Sequence, residues 1–169
     1  PGLQRSTKMP VVFVGHGSPM NVLEANRWRK GWEDLGQQFG PNGRWPTPQL
    51  ILCVSAHWIT RGWEVTGMET PKTIHDFGGF PRALFEMQYP APGAPVVAGA
   101  LAAQLRQPHN QKAVEVDEHQ WGLDHGTWSV LKPMFPQAHI PVIQLSMDYS
   151  RPPAEHLAMG RQLAHLREQ

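Results

Sequence analysis

Ile51-Leu52-Cys53-Val54-Ser55-Ala56-His57-Trp58 is an apolar run that carries an imidazole at its end. A run this short reads as a buried strand over 49–55, and His57 then lies at the strand's carboxyl end. Val11-Val12-Phe13-Val14-Gly15-His16-Gly17-Ser18-Pro19 has the same form, a strand over 10–14 followed by a histidine between two glycines. In open α/β sheets ligands bind at that edge. Neutral imidazole suits Zn²⁺ or Fe²⁺, and an open metal site commonly uses three protein ligands. His16 and His57 would supply two of them.

Working outward, the spacing of Leu23, Trp28, Trp32 and Leu35 predicts a helix over 23–39, and 41–48 is a turn-rich connector. Residues 64–68 read as a third strand. The stretch 69–95 is too broken by Pro and Gly for long regular structure, and its aromatic content predicts an ordered, packed loop. Further on, helices are expected over 95–105, 127–134 and 153–166, with strands over 113–116 and 140–146. Strands alternating with helices predict an α/β fold with a central, largely parallel or mixed sheet flanked by helices. The expected organisation is a loose arm or expression remnant over 1–8 and one catalytic α/β domain over 9–169.

The bulk composition removes other classes. Charge is nearly balanced, 15 Lys+Arg against 14 Asp+Glu, which gives no electrostatic reason for nucleic acid or an anionic membrane as partner. The longest apolar runs are strand-sized, too short to span a bilayer. A single cysteine, Cys53, cannot form an intrachain disulfide and points to a reducing, cytoplasmic setting. Self-association into a homo-oligomer is compatible with all of this.

Of the nine histidines, His109, His119, His139, His156 and His165 sit among polar or helix-surface positions and read as surface or capping residues. His125 is different. It stands between Asp124 and Gly126 at a helix start, in a compact polar turn with Trp121 and Trp128 as aromatic neighbours, a setting suited to acid–base work. His75, in the Gly-rich aromatic loop, is a candidate for substrate contact. A Ser–His hydrolase is disfavoured because no Gly-x-Ser-x-Gly elbow exists, and Gly15–Pro19 lacks the lysine and glycine spacing of a phosphate cradle.

Five motifs occur in order: Gly15-His16-Gly17-Ser18-Pro19-Met20, Ser55-Ala56-His57-Trp58, Thr73-Ile74-His75-Asp76-Phe77-Gly78-Gly79-Phe80-Pro81, Tyr89-Pro90-Ala91-Pro92-Gly93 and Trp121-Gly122-Leu123-Asp124-His125-Gly126. Together, from about Pro10 onward, they make the chain resemble the DOPA-type extradiol ring-cleavage dioxygenases, a branch of the class III (LigB-like) enzymes. The resemblance implies a LigB-like α/β fold and a mononuclear non-haem Fe²⁺ or Zn²⁺ held by His16 and His57. It also implies an acid–base role for His125 and, as partners, a small catechol of the 4,5-DOPA type and O₂. Only a redox-active ion can pass electrons between catecholate and O₂, so Zn²⁺ would imply a hydrolase or lyase instead. A metal-binding module without activity is the third reading. The substrate pocket is expected to include His75, Asp124, Trp58 and Phe80. The resemblance departs at the C-terminus, where family members carry a Val-His-Asn histidine and a later Pro-Glu-His segment that completes the metal site. Three arrangements fit that difference: a longer protein, a truncated product, or ligands from a neighbouring subunit. An apolar sheet edge left open by such a cut favours the first.

Overall fold

A computed structural model describes residues 2–169; Pro1, the first residue of the expected arm, lies outside the described residues. The sheet has four strands, β1 (Ile51–Ile59), β2 (Glu64–Thr66), β3 (Glu115–Asp117) and β4 (Val142–Met147), in the order β1-β4-β2-β3. β1 runs parallel to β4 and β2 parallel to β3, while β2 and β4 are antiparallel, so the sheet is mixed. Among the described residues there are five α-helices: α1 (Arg27–Gly36), α2 (Arg82–Phe85), α3 (Pro95–Gln104), α4 (His125–Met134) and α5 (Pro153–Leu163). Among the described residues no helix is long and apolar enough to cross a membrane.

The strand period of two decides what each face of the sheet buries. Along β4, Ile143 and Leu145 enter one core with Trp63, Val65, Leu101, Leu105 and Met159. Val142 points to the other core, with Leu84, Tyr89, Leu123, Trp128 and Leu131. Gln144 and Ser146 share the parity of Val142 and are just as buried, so this face carries polar groups into the interior. Burying one such aliphatic side chain stabilises the fold by roughly 1.5–3 kcal/mol, whereas a buried amide must find partners or cost a similar amount. Gln144 finds them at the start of α4.

Two expectations are corrected. Residues 10–14 form no strand: no described strand bonds to them, and Val11 and Phe13 are 77% and 101% exposed. An apolar run becomes a strand only where a neighbour supplies the ladder, and composition alone cannot supply one. The strand at 49–55 instead runs from Ile51 to Ile59, so His57 lies inside it. The β1–β4 register is regular from Ile51↔Val142 to Val54↔Leu145, then slips before resuming at Ile59↔Met147. His57 occupies the slipped stretch, and such an irregularity re-aims side chains away from the regular pleat.

Helix α1 begins later than its apolar spacing suggested, because the Asn26 side chain accepts the N–H groups of Trp28 and Arg29. A 3-10 turn at Pro19–Val22 precedes it. The 69–95 loop is packed as expected: Tyr89 and Leu84 are fully buried, and Ile74 N–H bonds to the Leu123 carbonyl at 2.8 Å. Within the arm expected over 1–8, Ser6 N–H bonds to Glu168 O and Gln4 bonds to Gln49 in both directions, and just beyond it Met9 N–H bonds to Arg167 O. His156, read as a surface residue, is half-buried with its ring edge-on to Trp63 at 5.3 Å.

Asp148 clamps the β1–β2 turn to the end of β4. Its carboxylate accepts Gly62 N–H at 2.7 Å, Ser150 N–H at 2.9 Å and Ser150 Oγ–H at 2.6 Å. Gly62 has φ +82°, a left-handed conformation that side chains strain to adopt. Burial pushes the Asp148 carboxyl up, but the Ser150 and Gly62 bonds and the Arg151 charge outweigh it and hold it below the usual carboxylate range. A depressed folded pKa contributes stability that is present above the unfolded value and lost as pH falls through the folded one. Asp148→Ala is therefore expected to lower the unfolding free energy by about 2 kcal/mol at pH 7, since it strands buried donors. Urea titrations should show that difference shrinking as pH drops below about 4, the unfolded carboxylate value.

Candidate metal centre

His16, His57 and His125 converge, each offering a ring nitrogen, with all three nitrogens within 4.8 Å of one another. His57 Nε2 and His16 Nε2 face each other at 2.9 Å. The ring centroids of His57 and His125 are 4.0 Å apart, and those of His16 and His125 are 5.2 Å apart. Two facing imidazole nitrogens either share one proton or direct both lone pairs at a cation. Nitrogens bound to one ion at about 2.1 Å and at right angles lie roughly 3.0 Å apart, so the observed spacing fits a shared ion. Burial, followed by the neighbouring charge of His125, pushes the His16 imidazole down from its ordinary value, which favours the neutral ring that a metal requires.

Each histidine is placed by a different local device. His16 sits before Gly17, at φ +58°, and its Nδ1 lies 2.8 Å from the Gly17 carbonyl, so Nε2 is the nitrogen left to face His57. His57 is placed by the β1 irregularity, with its backbone N–H bonded to Ser55 Oγ at 3.2 Å. His125 is the first residue of α4 and is 7% exposed. The close approach of α4 to β1 depends on Gly126. A Cβ there would meet Ser55 Oγ at 2.7 Å and His57 Cδ2 at 2.9 Å.

Beneath the histidines lies a buried polar network. Asp124 is fully buried, and its Oδ1 accepts Ser55 Oγ–H at 2.6 Å. Its Oδ2 accepts Gln144 Nε2–H at 2.9 Å and Trp121 Nε1–H at 3.2 Å. The Trp121 indole in turn stacks on Trp58 with an interplanar angle of 6°. Asp124 and Trp58, expected in the pocket wall, are thus supports below the site: Trp58 is only 4% exposed and both carboxylate oxygens of Asp124 are engaged by the protein.

The loop 73–81 contributes the remaining neighbours. Phe77 meets the His125 ring edge-on at 5.5 Å, and Phe80 packs on Phe77 at 5.3 Å. Phe80 and His75 therefore reach the histidine cluster through Phe77. The His75 ring contacts Trp128 at 5.7 Å, and its Nε2 lies 2.7 Å from the Met87 carbonyl. Sequence reasoning missed Asp76. Its Oδ1 accepts the backbone N–H of His125 at 3.0 Å and lies 2.9 Å from His125 Nδ1. Burial pushes the Asp76 carboxyl up, but these interactions with His125 prevail and hold it below the usual range. The Asp-His pair at 75–76 and 124–125 was visible in the sequence, but which Asp serves which His was not.

Comparison with known proteins identifies the family. Residues 10–169 match the family described as the catalytic LigB subunit of aromatic ring-opening dioxygenase. The 4,5-DOPA dioxygenase extradiol of Escherichia coli K12 is 53% identical over 167 residues, which covers 99% of this chain and 58% of that protein. That of Beta vulgaris is 34% identical, covering 93% of this chain and 57% of its own length. A crystal structure of an uncharacterized Escherichia coli K12 protein superposes with a TM-score of 0.66 at 44% identity, covering 89% of this chain and 52% of that one. The chain thus spans little more than half the length of these relatives. With the family match running over nearly all of its residues, and a histidine triad able to hold a metal ion at the sheet's edge, the chain belongs to the LigB family of aromatic ring-opening dioxygenase subunits.

Proposed function

We propose that this protein acts as a metal-dependent extradiol dioxygenase that opens the ring of a small catechol of the 4,5-DOPA type with O₂. The convergence of His16, His57 and His125 carries the reading, with His57 Nε2 and His16 Nε2 at 2.9 Å. In this reading His16 and His57 hold Fe²⁺, and His125 is the acid–base residue. The names of the Escherichia coli and Beta vulgaris relatives support the substrate class. Bound iron supplies the redox chemistry between catechol and O₂ and lowers the pKa of a catechol hydroxyl. A reducing cytoplasm, the setting expected from the single cysteine, suits such an ion.

The chain's own groups divide the remaining work. His125, buried and beside both other rings, takes the proton released by the catechol and returns it to the opened product. Phe77, backed by Phe80 and His75, supplies an apolar wall that limits water around His125. The Asp124 network holds the α4 start and β1 in register, so that the three rings keep their separations.

Anaerobic loading with Fe²⁺, followed by a catechol and O₂, is expected to give O₂ uptake and a yellow ring-opened product. Iron-loaded protein that consumes no O₂ with any catechol would overturn the reading, and tightly held zinc with no iron in untreated protein would favour a hydrolase or lyase. His16→Ala should bind at least tenfold less metal at equal protein and metal concentrations, read by elemental analysis after gel filtration. Gly126→Ala should weaken metal binding by about 10–100-fold, as loss of an outer support does, because the new methyl displaces Ser55 or His57.

A further inference from the structure

Helix α4 is not capped by the residue at its own N-cap. Asp124 makes no side-chain cap bond, since its carboxylate is turned to Ser55, Gln144 and Trp121. A carboxylate from the loop 73–81 takes that place. Asp76 Oδ1 accepts the N–H of His125, the first residue of α4, at 3.0 Å. The helix dipole favours an anion there, so the position is a natural seat for Asp76.

The same oxygen lies 2.9 Å from Nδ1 of the His125 ring. The angle is too oblique for a hydrogen bond, and Nδ1 has no hydrogen-bond partner among the described residues, so the contact is that of a carboxylate charge facing the ring. The loop is pinned two residues before Asp76: Ile74 N–H bonds to Leu123 O at 2.8 Å, and Trp128 Nε1–H bonds to Ile74 O at 2.8 Å. These bonds tie the loop to both sides of the α4 start. The carboxylate is thereby fixed relative to the ring it faces.

We propose that Asp76 is a positioning residue that caps α4 and holds the His125 ring with its proton on Nδ1, leaving Nε2 as the nitrogen that exchanges a proton with substrate. A histidine with a carboxylate on one nitrogen has its tautomer set by that contact, and the other nitrogen carries the lone pair. When a catechol O–H breaks, its proton forms Nε2–H and the oxygen keeps the electron pair. The catalytic part of this assignment rests on the function proposed above, whereas the tautomer part does not.

Asp76→Asn separates the two tasks. The amide oxygen still accepts the His125 backbone N–H, so the cap survives, but the charge facing Nδ1 is gone. In ¹⁵N-labelled metal-free protein, the His125 ring is identified by the signal lost in His125→Gln. The parent is expected to show an Nδ1–H tautomer, and Asp76→Asn a mixture with Nε2–H. With iron loaded, Asp76→Asn should lower kcat roughly 10–100-fold, the range for lost outer-shell partners, with KM within about threefold and the thermal midpoint near the parent's. Asp76→Ala should also lower the thermal midpoint, because it removes the cap. An unchanged Nδ1–H tautomer in Asp76→Asn, or a kcat within threefold of the parent, would overturn the proposal. Should the parent itself consume no O₂, the dioxygenase reading fails, and the ring spectra alone decide whether Asp76 sets the tautomer.

Discussion

The geometry of the site depends on one buried carboxylate. Asp124 is wholly inside the protein and is held by Ser55 from β1, Gln144 from β4 and Trp121 from the approach to α4. Its own backbone N–H returns a bond to Gln144 Oε1 at 3.2 Å. A buried carboxylate is costly unless its oxygens are occupied, and here both are. Three segments distant in sequence are therefore held together beneath the histidines. The arrangement works as a unit, because withdrawing any one donor leaves a charged acceptor short of partners in a place water does not reach.

The polar face of β4 is what lets this network form. Gln144 and Ser146 lie on the same face of β4 as Val142, so the strand that builds the core also carries an amide to Asp124 and a hydroxyl to Thr60 and Glu64. The β1–β4 ladder is regular up to Val54 and slips just beyond it, before His57. Regular pairing fixes the strand up to Val54, next to Ser55, and the irregular stretch beyond it carries both Ser55 toward Asp124 and His57 toward His16. Neither property alone would build the site.

Much of this was legible in the residues. The apolar runs at 49–55 and 140–146 announced strands, and the ordered motifs around His16, His57 and His125 announced the rings that meet. Residues 10–14 misled because burial and a ladder both need a partner surface that no local pattern specifies, and Val11, Val12 and Phe13 have neither. His57 proved to be inside its strand because a register slip is a relation between two strands. Asp124 and Trp58 were read as wall residues from their nearness in sequence to His125 and His57. Chain neighbours of a site residue are as often turned inward to support it, and only the packing of β4 behind them shows which. Asp76 went unnoticed for the opposite reason: it is remote in sequence from the ring it serves.

The N-terminal segment has a further consequence. Residues 11–13 are exposed and unpaired, and the segment meets β1 through His16, whose ring faces His57. His16, His57 and His125 are separated by long stretches of chain, so bringing them together carries the entropic cost of closing two large loops. An ion held by His16 and His57 would act as a removable cross-link between the exposed segment 11–13 and the sheet. Metal occupancy and the position of His16 against β1 would then be thermodynamically linked.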